Sequence, residues 1–154
     1  MTTSLNPTII PSDRLLQAGD IFAVYGTLRK GNGNYKYTGM RTGAKFLGEE
    51  TVQGTLYHLG GFPGLTQEAS PVPVTVEVYK LLDPALGVRL DRLEGYKPAK
   101  PEGSMYIRAK TVTNSGREAF IYYYNSLRVP ARRVILSGDW HNRGEIGALE
   151  KAAS

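Results

Sequence analysis

Ile21-Phe22-Ala23-Val24-Tyr25-Gly26-Thr27-Leu28-Arg29-Lys30-Gly31 is the stretch on which the reading of this chain turns. Five apolar or aromatic residues rich in β-formers stop at a glycine, the pattern of a buried strand delivering a tight loop to a cleft. Gly26 lacks a Cβ, so a ligand or a second backbone can approach it closely. The amides of Gly26, Thr27 and Leu28 then make a candidate nest for a carboxylate or phosphate. A strand ending in Gly-Thr is common in β proteins, so a second element is needed. It comes in Leu90-Asp91-Arg92-Leu93-Glu94-Gly95-Tyr96.

That second stretch ends a well-marked helix. Asp83-Pro84 supplies an N-cap and a proline at the first helical position, and Gly95 suits the far end. At ~100° per residue, Leu86, Leu90 and Leu93 form the expected buried stripe, with Glu94 at its border and Asp91 turned further away. A carboxylate in the last helical turn faces free carbonyls, and Asp91 at i−3 adds a like charge, so the pKa of Glu94 is expected to rise. Such a rise, strengthened by desolvation, moves a glutamate toward the range of a general base. The plainer reading of Glu94 is an exposed helix-end residue paired with an arginine.

Around these elements, 154 residues with 41% hydrophobic and 21% charged content fit one domain with a real core. We read Met1 to Asp20 as a loosely ordered extension that tightens near Leu15-Leu16, residues 21–140 as the domain, and 141–154 as a tail. No run approaches the ~18 apolar residues of a membrane span, and the N-terminus lacks a signal-peptide pattern, so a cytoplasmic protein is expected. The absence of cysteine removes disulfides and thiolate chemistry. His58 and His141 show no metal-ligand spacing. The net charge of +5 is spread singly, so neither a membrane nor a nucleic acid is the expected partner. Gly26 and Gly31 have P-loop spacing, but Asn32-Gly33 stands where Lys-Ser/Thr would be required.

Along the chain, Lys30 to Gly43 reads as a long loop with a short helix, its Asn34, Tyr35 and Tyr37 candidates to face the cleft. Ala44 to Leu47 and Val52 to Leu59 read as short strands, the second bent at Gly54. Gly60 to Leu65 is a loop whose Phe62 either covers a pocket or merely connects. Val72 to Leu81 alternates as a strand, with Glu77 on its mixed face as a rival carboxylate to Glu94. Met105 to Thr113 and Arg117 to Asn125 form a hairpin, and Ala119 to Tyr124 suits a central strand buried on both sides. Ser137 to Trp140 reads as a turn, and Glu145 to Ala153 as a short helix or frayed tail.

Tyr25-Gly26-Thr27-Leu28 followed by Leu90 to Tyr96, with Gly61-Phe62-Pro63-Gly64, Glu77-Val78-Tyr79, Tyr106, Tyr122 and Gly138-Asp139-Trp140, resembles the gamma-glutamylcyclotransferase-like family, particularly its gamma-glutamylamine cyclotransferase branch. The resemblance spans about Ile21 to Trp140. It implies an α+β fold, a small mixed β-barrel, partly closed and flanked by a few short helices, with a cleft at the Tyr-Gly-Thr-Leu loop. It also implies a reaction on a small-molecule gamma-glutamyl substrate. Glu94 is the general base, and the substrate's α-amine attacks its own side-chain carbonyl to release pyroglutamate (5-oxoproline) and an amine or amino acid. Gly26, Thr27 and Leu28 would offer backbone amides, while Tyr25, Tyr106 and Tyr122 would line the pocket and hydrogen-bond the glutamyl group. No metal and no cofactor is called for. Val76 stands where many members have glycine, and the loop Lys97 to Ser104 carries two prolines; both bear on the leaving group. A non-catalytic binding or regulatory protein using the same fold and its basic surface is the alternative, and the sequence sets no oligomeric state.

Overall fold

The computed structural model describes residues 9–125 and 128–149. In chain order, β1 (Ile21–Val24) leads through two short helices, α1 (Gly33–Thr38) and α2 (Met40–Gly43), into β2 (Ala44–Val52), β3 (Thr55–His58), β4 (Pro63–Thr66) and β5 (Val74–Leu81). Helix α3 (Pro84–Glu94) follows, then the hairpin β6 (Tyr106–Val112) and β7 (Glu118–Tyr124) and two short strands, β8 (Val134–Ile135) and β9 (Ile146–Gly147). Among the described residues no helix is long and apolar enough to cross a membrane.

Five strands make one mixed sheet in the order β2-β5-β1-β7-β6. β1 runs antiparallel to β5, with Val24 opposite Glu77, and parallel to β7, with Phe22 opposite Phe120. Central position explains the composition of these strands: Ala119 to Tyr123 are all buried, as are Val76, Val78 and Tyr79 on β5. A second sheet, β4-β3-β8-β9, lies beside the first, with β4 packed on β7. The α+β class and the mixed sheet are as expected. The barrel is not fully formed, because among the described residues the two sheets are not hydrogen-bonded into one cylinder.

Three further expectations need revision. β2 runs unbroken for nine residues with a register shift between Phe46 and Gly48, and Gly54 lies in the turn before β3 rather than within a strand. Ile146–Gly147 pairs with β8 as a strand, so no helix begins at Glu145; the expected tail beyond residue 149 lies outside the described residues. The N-terminal extension, expected to tighten only near Leu15-Leu16, is packed from Ile9 onward. Ile9 and Leu16 are buried in the core, and Ser12 is held by Arg108, whose carbonyl accepts from the Ser12 amide at 2.8 Å.

The loop after β1 is fixed by a buried ion network. Arg29, 2% exposed, donates from Nε to Glu77 Oε2 at 2.9 Å and from Nη1 to Asp139 Oδ1 at 2.6 Å. Glu77 Oε1 accepts from the Lys30 amide at 2.9 Å and from the Tyr79 hydroxyl at 2.7 Å. Removing one partner of such a network strands the rest of the charge in a poorly solvated place. Arg29→Met is therefore expected to lower unfolding free energy by about 3–5 kcal/mol in urea titrations; a loss below about 1 kcal/mol would mean that water replaces the guanidinium at no cost.

Candidate active site

Helix α3 carries the carboxylate. Asp83 caps it as expected, accepting from the Ala85 amide at 3.0 Å, and Gly95 closes it with φ of 66°. The buried face is shifted from the expected stripe: Leu86, Gly87, Leu90 and Asp91 are covered, whereas Leu93 is 37% exposed. Asp91, expected to point away, is 5% exposed and paired with Arg108 by two bonds, Nε to Oδ1 at 2.9 Å and Nη2 to Oδ2 at 3.1 Å. The reason is the N-terminal segment. A Cβ on Gly87 would lie 2.9 Å from the Leu16 Cβ, so this side of the helix is roofed by the N-terminal segment at the point where it tightens.

Glu94, one turn further along this covered arc, faces a cavity of about 300 Å³. The loop Tyr25 to Leu28 forms one wall, Phe62 and Pro63 a second, and Tyr106 and Tyr122 the floor. Glu94, Tyr25, Gly26, Thr27, Leu28, Tyr106 and Tyr122 thus meet in one place, whereas Tyr35 is not among the lining residues. Asn34 also lines it, its amide donating to the Thr27 hydroxyl at 2.8 Å, while Tyr37 lies exposed outside. Phe62 is a pocket wall and not merely part of a connector.

The electrostatics separate the two carboxylates of α3. Glu94 takes no hydrogen bond or ion pair among the described residues. Burial pushes its carboxyl up to about 7, and the nearby Asp91 charge adds to the rise. The direction is as expected, but desolvation is the leading cause rather than the helix end. Glu77, the rival, is excluded as a free base because both its oxygens are occupied by Arg29, Lys30 and Tyr79.

The tyrosines line the cavity without offering their protons to it. Tyr25 donates to the Tyr122 carbonyl at 2.6 Å and accepts from the Leu65 amide at 3.2 Å. Tyr106 donates to the Pro63 carbonyl at 2.7 Å, and Tyr122 to Asp91 Oδ1 at 2.6 Å. Burial holds all three phenols above the usual tyrosine range, so they stay neutral. Their protons are engaged within the protein, so toward a glutamyl group these hydroxyls are left as acceptors, and they also hold loops together.

Donors come instead from the backbone. The turn after β1 closes with the Arg29 amide on the Gly26 carbonyl at 3.0 Å, and the Lys30 amide goes to Glu77. The amides of Gly26, Thr27 and Leu28 take no protein partner among the described residues. Gly26 is required here by a neighbour: a Cβ would lie 2.5 Å from Pro63 Cγ. Arg29 and Arg108 were missed as parts of the site, and Asp91 was read only as a charge near Glu94. Arg108 left a readable trace, a charge inside the otherwise apolar start of β6, Tyr106-Ile107-Arg108-Ala109.

Among the described residues no group of three or more His, Cys, Asp or Glu is arranged to hold a metal ion. The sequence has no match among curated proteins. A family model for gamma-glutamyl cyclotransferase, AIG2-like proteins matches residues 22–142. Among solved structures, the protein PH0828 from Pyrococcus horikoshii is 30% identical, with a TM-score of 0.60 over 79% of this chain and 90% of that one. Two more distant chains share the fold. An AIG2-like protein from Mus musculus is 23% identical over 74% of this chain and 82% of its own, at a TM-score of 0.57. The protein c4763 from uropathogenic E. coli is 20% identical over 81% and 94%, at 0.61. The matched span holds the turn after β1, Phe62, Pro63, Glu94 and the cavity tyrosines, and this chain belongs to the gamma-glutamyl cyclotransferase, AIG2-like family of enzymes.

Proposed function

We propose that this protein cleaves a gamma-glutamyl amide by intramolecular lactam formation, releasing pyroglutamate and a free amine or amino acid, with Glu94 as general base. The observation that carries the reading is an unpaired carboxylate with a pKa near 7 in a cavity that also presents the turn amides of Gly26, Thr27 and Leu28. Family membership supports the reaction class. The family does not fix the leaving group, and the proposal includes amines of the gamma-glutamylamine subtype and amino acids alike.

The nucleophile is the substrate's own α-nitrogen, so no protein serine or cysteine is consumed. Glu94 in its ionised form accepts a proton from the α-ammonium, and the freed amine attacks the side-chain carbonyl carbon. The N–C bond of a five-membered ring forms as the carbonyl oxygen takes negative charge. Fixed backbone amides of Gly26, Thr27 and Leu28 hold the substrate α-carboxylate or this oxyanion without having to reorient. The protonated Glu94 then delivers its proton to the departing nitrogen as the original amide bond breaks. A second proton, lost from the ring nitrogen, returns to Glu94 and leaves to solvent or product amine. One carboxylate near neutrality serves as both acceptor and donor, for which a pKa close to the working pH is suited.

Glu94→Gln keeps the shape of the side chain and removes its basicity. Mass-spectrometric detection of pyroglutamate from a panel of gamma-glutamyl amines, amino acids and peptides is expected to show turnover reduced by about 10²–10⁴-fold in this variant; unchanged turnover removes Glu94 from the base role. The raised carboxyl also fixes the sign of two pH effects. The rate constant kcat/KM should rise with pH through a midpoint of about 7 and lose that limb in the variant. Between the ordinary glutamate value of 4.5 and about 7 the folded chain holds a proton that the unfolded chain has released. Stability should therefore fall as pH rises across that window, and Glu94→Gln should abolish this component in denaturation curves measured at several pH values.

A further inference from the structure

A second cavity, a surface groove of about 390 Å³, adjoins the Glu94 cavity. Phe62 and Met105 belong to the walls of both, and the rings of Tyr106 on one side and Tyr124 on the other meet edge to face at 5.6 Å. The far wall carries Arg133 and His58. Arg133 is held there by two contacts to His58, Nε donating to its carbonyl oxygen at 3.0 Å and Nη2 meeting Nδ1 at 3.0 Å. His58 in turn lies 5.3 Å from the Trp140 ring, and Arg143 stacks over that ring at 4.0 Å. Burial and the charges of Arg133 and Arg143 hold the His58 imidazole below its usual range, so Arg133 is the cation facing the groove. Among the described residues no Asp or Glu lines it.

We propose that this groove is the leaving-group subsite and that it takes a carboxylate-bearing leaving group, the carboxylate meeting Arg133; the inference rests on the cyclotransferase reading of the Glu94 cavity. A gamma-glutamyl substrate anchored by the turn amides and Glu94 can extend the amine it releases over Phe62 and Met105, which line both cavities. An aliphatic stem crosses that apolar sill at little desolvation cost. A carboxylate beyond it meets a guanidinium oriented by His58, and a free ammonium meets only like charge. The substrates are thus gamma-glutamyl amino acids, peptides or ω-amino acids in preference to gamma-glutamyl derivatives of simple amines or diamines.

Three matched pairs test this: gamma-glutamyl derivatives of glycine, 4-aminobutyrate and 6-aminohexanoate, against those of ethylamine, butylamine and hexylamine. At one of the spacings the acid is expected to be favoured in kcat/KM by about tenfold or more, the scale of one charge-assisted hydrogen bond. Arg133 is exposed, so Arg133→Met should fold normally, and it should lower that ratio to near unity. Arg133→Glu should favour a diamine derivative instead. An unchanged ratio in Arg133→Met, or no acid preference at any spacing, overturns the subsite. Calorimetric affinities of the same pairs for Glu94→Gln read the subsite without turnover. Absence of pyroglutamate from every member overturns the cyclotransferase reading, whereas equal affinity for acid and alkyl members overturns the subsite alone.

Discussion

A single buried guanidinium orders the loop on which the site depends. Arg29 leaves the turn after β1 and enters the protein between Glu77 of β5 and Asp139 of the C-terminal turn, two carboxylates 62 positions apart in the chain. Its third nitrogen lies 3.6 Å from Glu49 on β2. Taking these charges out of water is costly, so the network is a poor device for adding stability but a good one for specifying geometry. Because Glu77 also accepts the Lys30 amide, the chain beyond the turn is tied down by its side chains and its far end. Gly26, Thr27 and Leu28 line the cavity, and among the described residues their amides have no partner inside the fold. A binding surface made of backbone donors needs such outside restraint, since the amides cannot hold their own loop.

A second ion pair, Asp91 with Arg108, organises the opposite wall by a different route. Two carboxylates stand three residues apart on α3 and meet opposite fates. Asp91 receives two bonds from Arg108 and one from the Tyr122 hydroxyl; Glu94 receives none from the protein. The same charge that keeps Tyr122 in place works through space against ionisation of Glu94. Environments that differ this sharply for neighbouring acids are how one helix separates a structural anion from a group able to exchange a proton. Arg108 reaches the N-terminal segment too, through the Ser12 hydroxyl at 3.1 Å and the Arg14 carbonyl at 2.7 Å. Ser12 also accepts from the Tyr96 hydroxyl, so the residues before β1 are part of what holds Asp91 in place.

This explains which parts of the site were legible. Local signals were sufficient for α3, because Asp83, Pro84 and Gly95 act on backbone within a few residues of themselves. They were also sufficient for β7, whose apolar run has meaning only between two neighbours. The buried face of α3 was not legible from spacing alone. At ~100° per residue, Leu86, Leu90, Glu94, Gly87 and Asp91 follow one another across an arc of roughly 140°. A stripe drawn through leucines takes in Leu93 and ends at Glu94; the true covered arc has Glu94 near its middle and Asp91 at its far edge. What moves the arc is Leu16 packed on Gly87, a contact across 71 positions that no periodicity encodes. The direction of the tyrosine hydrogen bonds was not legible for a related reason: residue type shows that the hydroxyls can donate or accept, but only the fold shows that Tyr122, Pro63 and Asp91 already take their protons.

The two halves of the site also differ in how they are built. Around Glu94 the walls are buried strands, a capped helix and two ion networks, and few of the positions can shift without stranding a charge or a hydroxyl. Beyond Phe62 and Met105, both substantially exposed, the walls are loops and the ends of β3 and β7, and the groove past them depends on Arg133 resting on His58. Lactam formation needs the first half to be stiff, since its rate depends on holding one amine against one carbonyl within bonding reach. Accepting an amine needs only shape and charge at the far end. A change in the loops from Leu59 to Phe62 or near Arg133 therefore alters which amide enters while leaving Glu94, its raised carboxyl and the turn amides as they are.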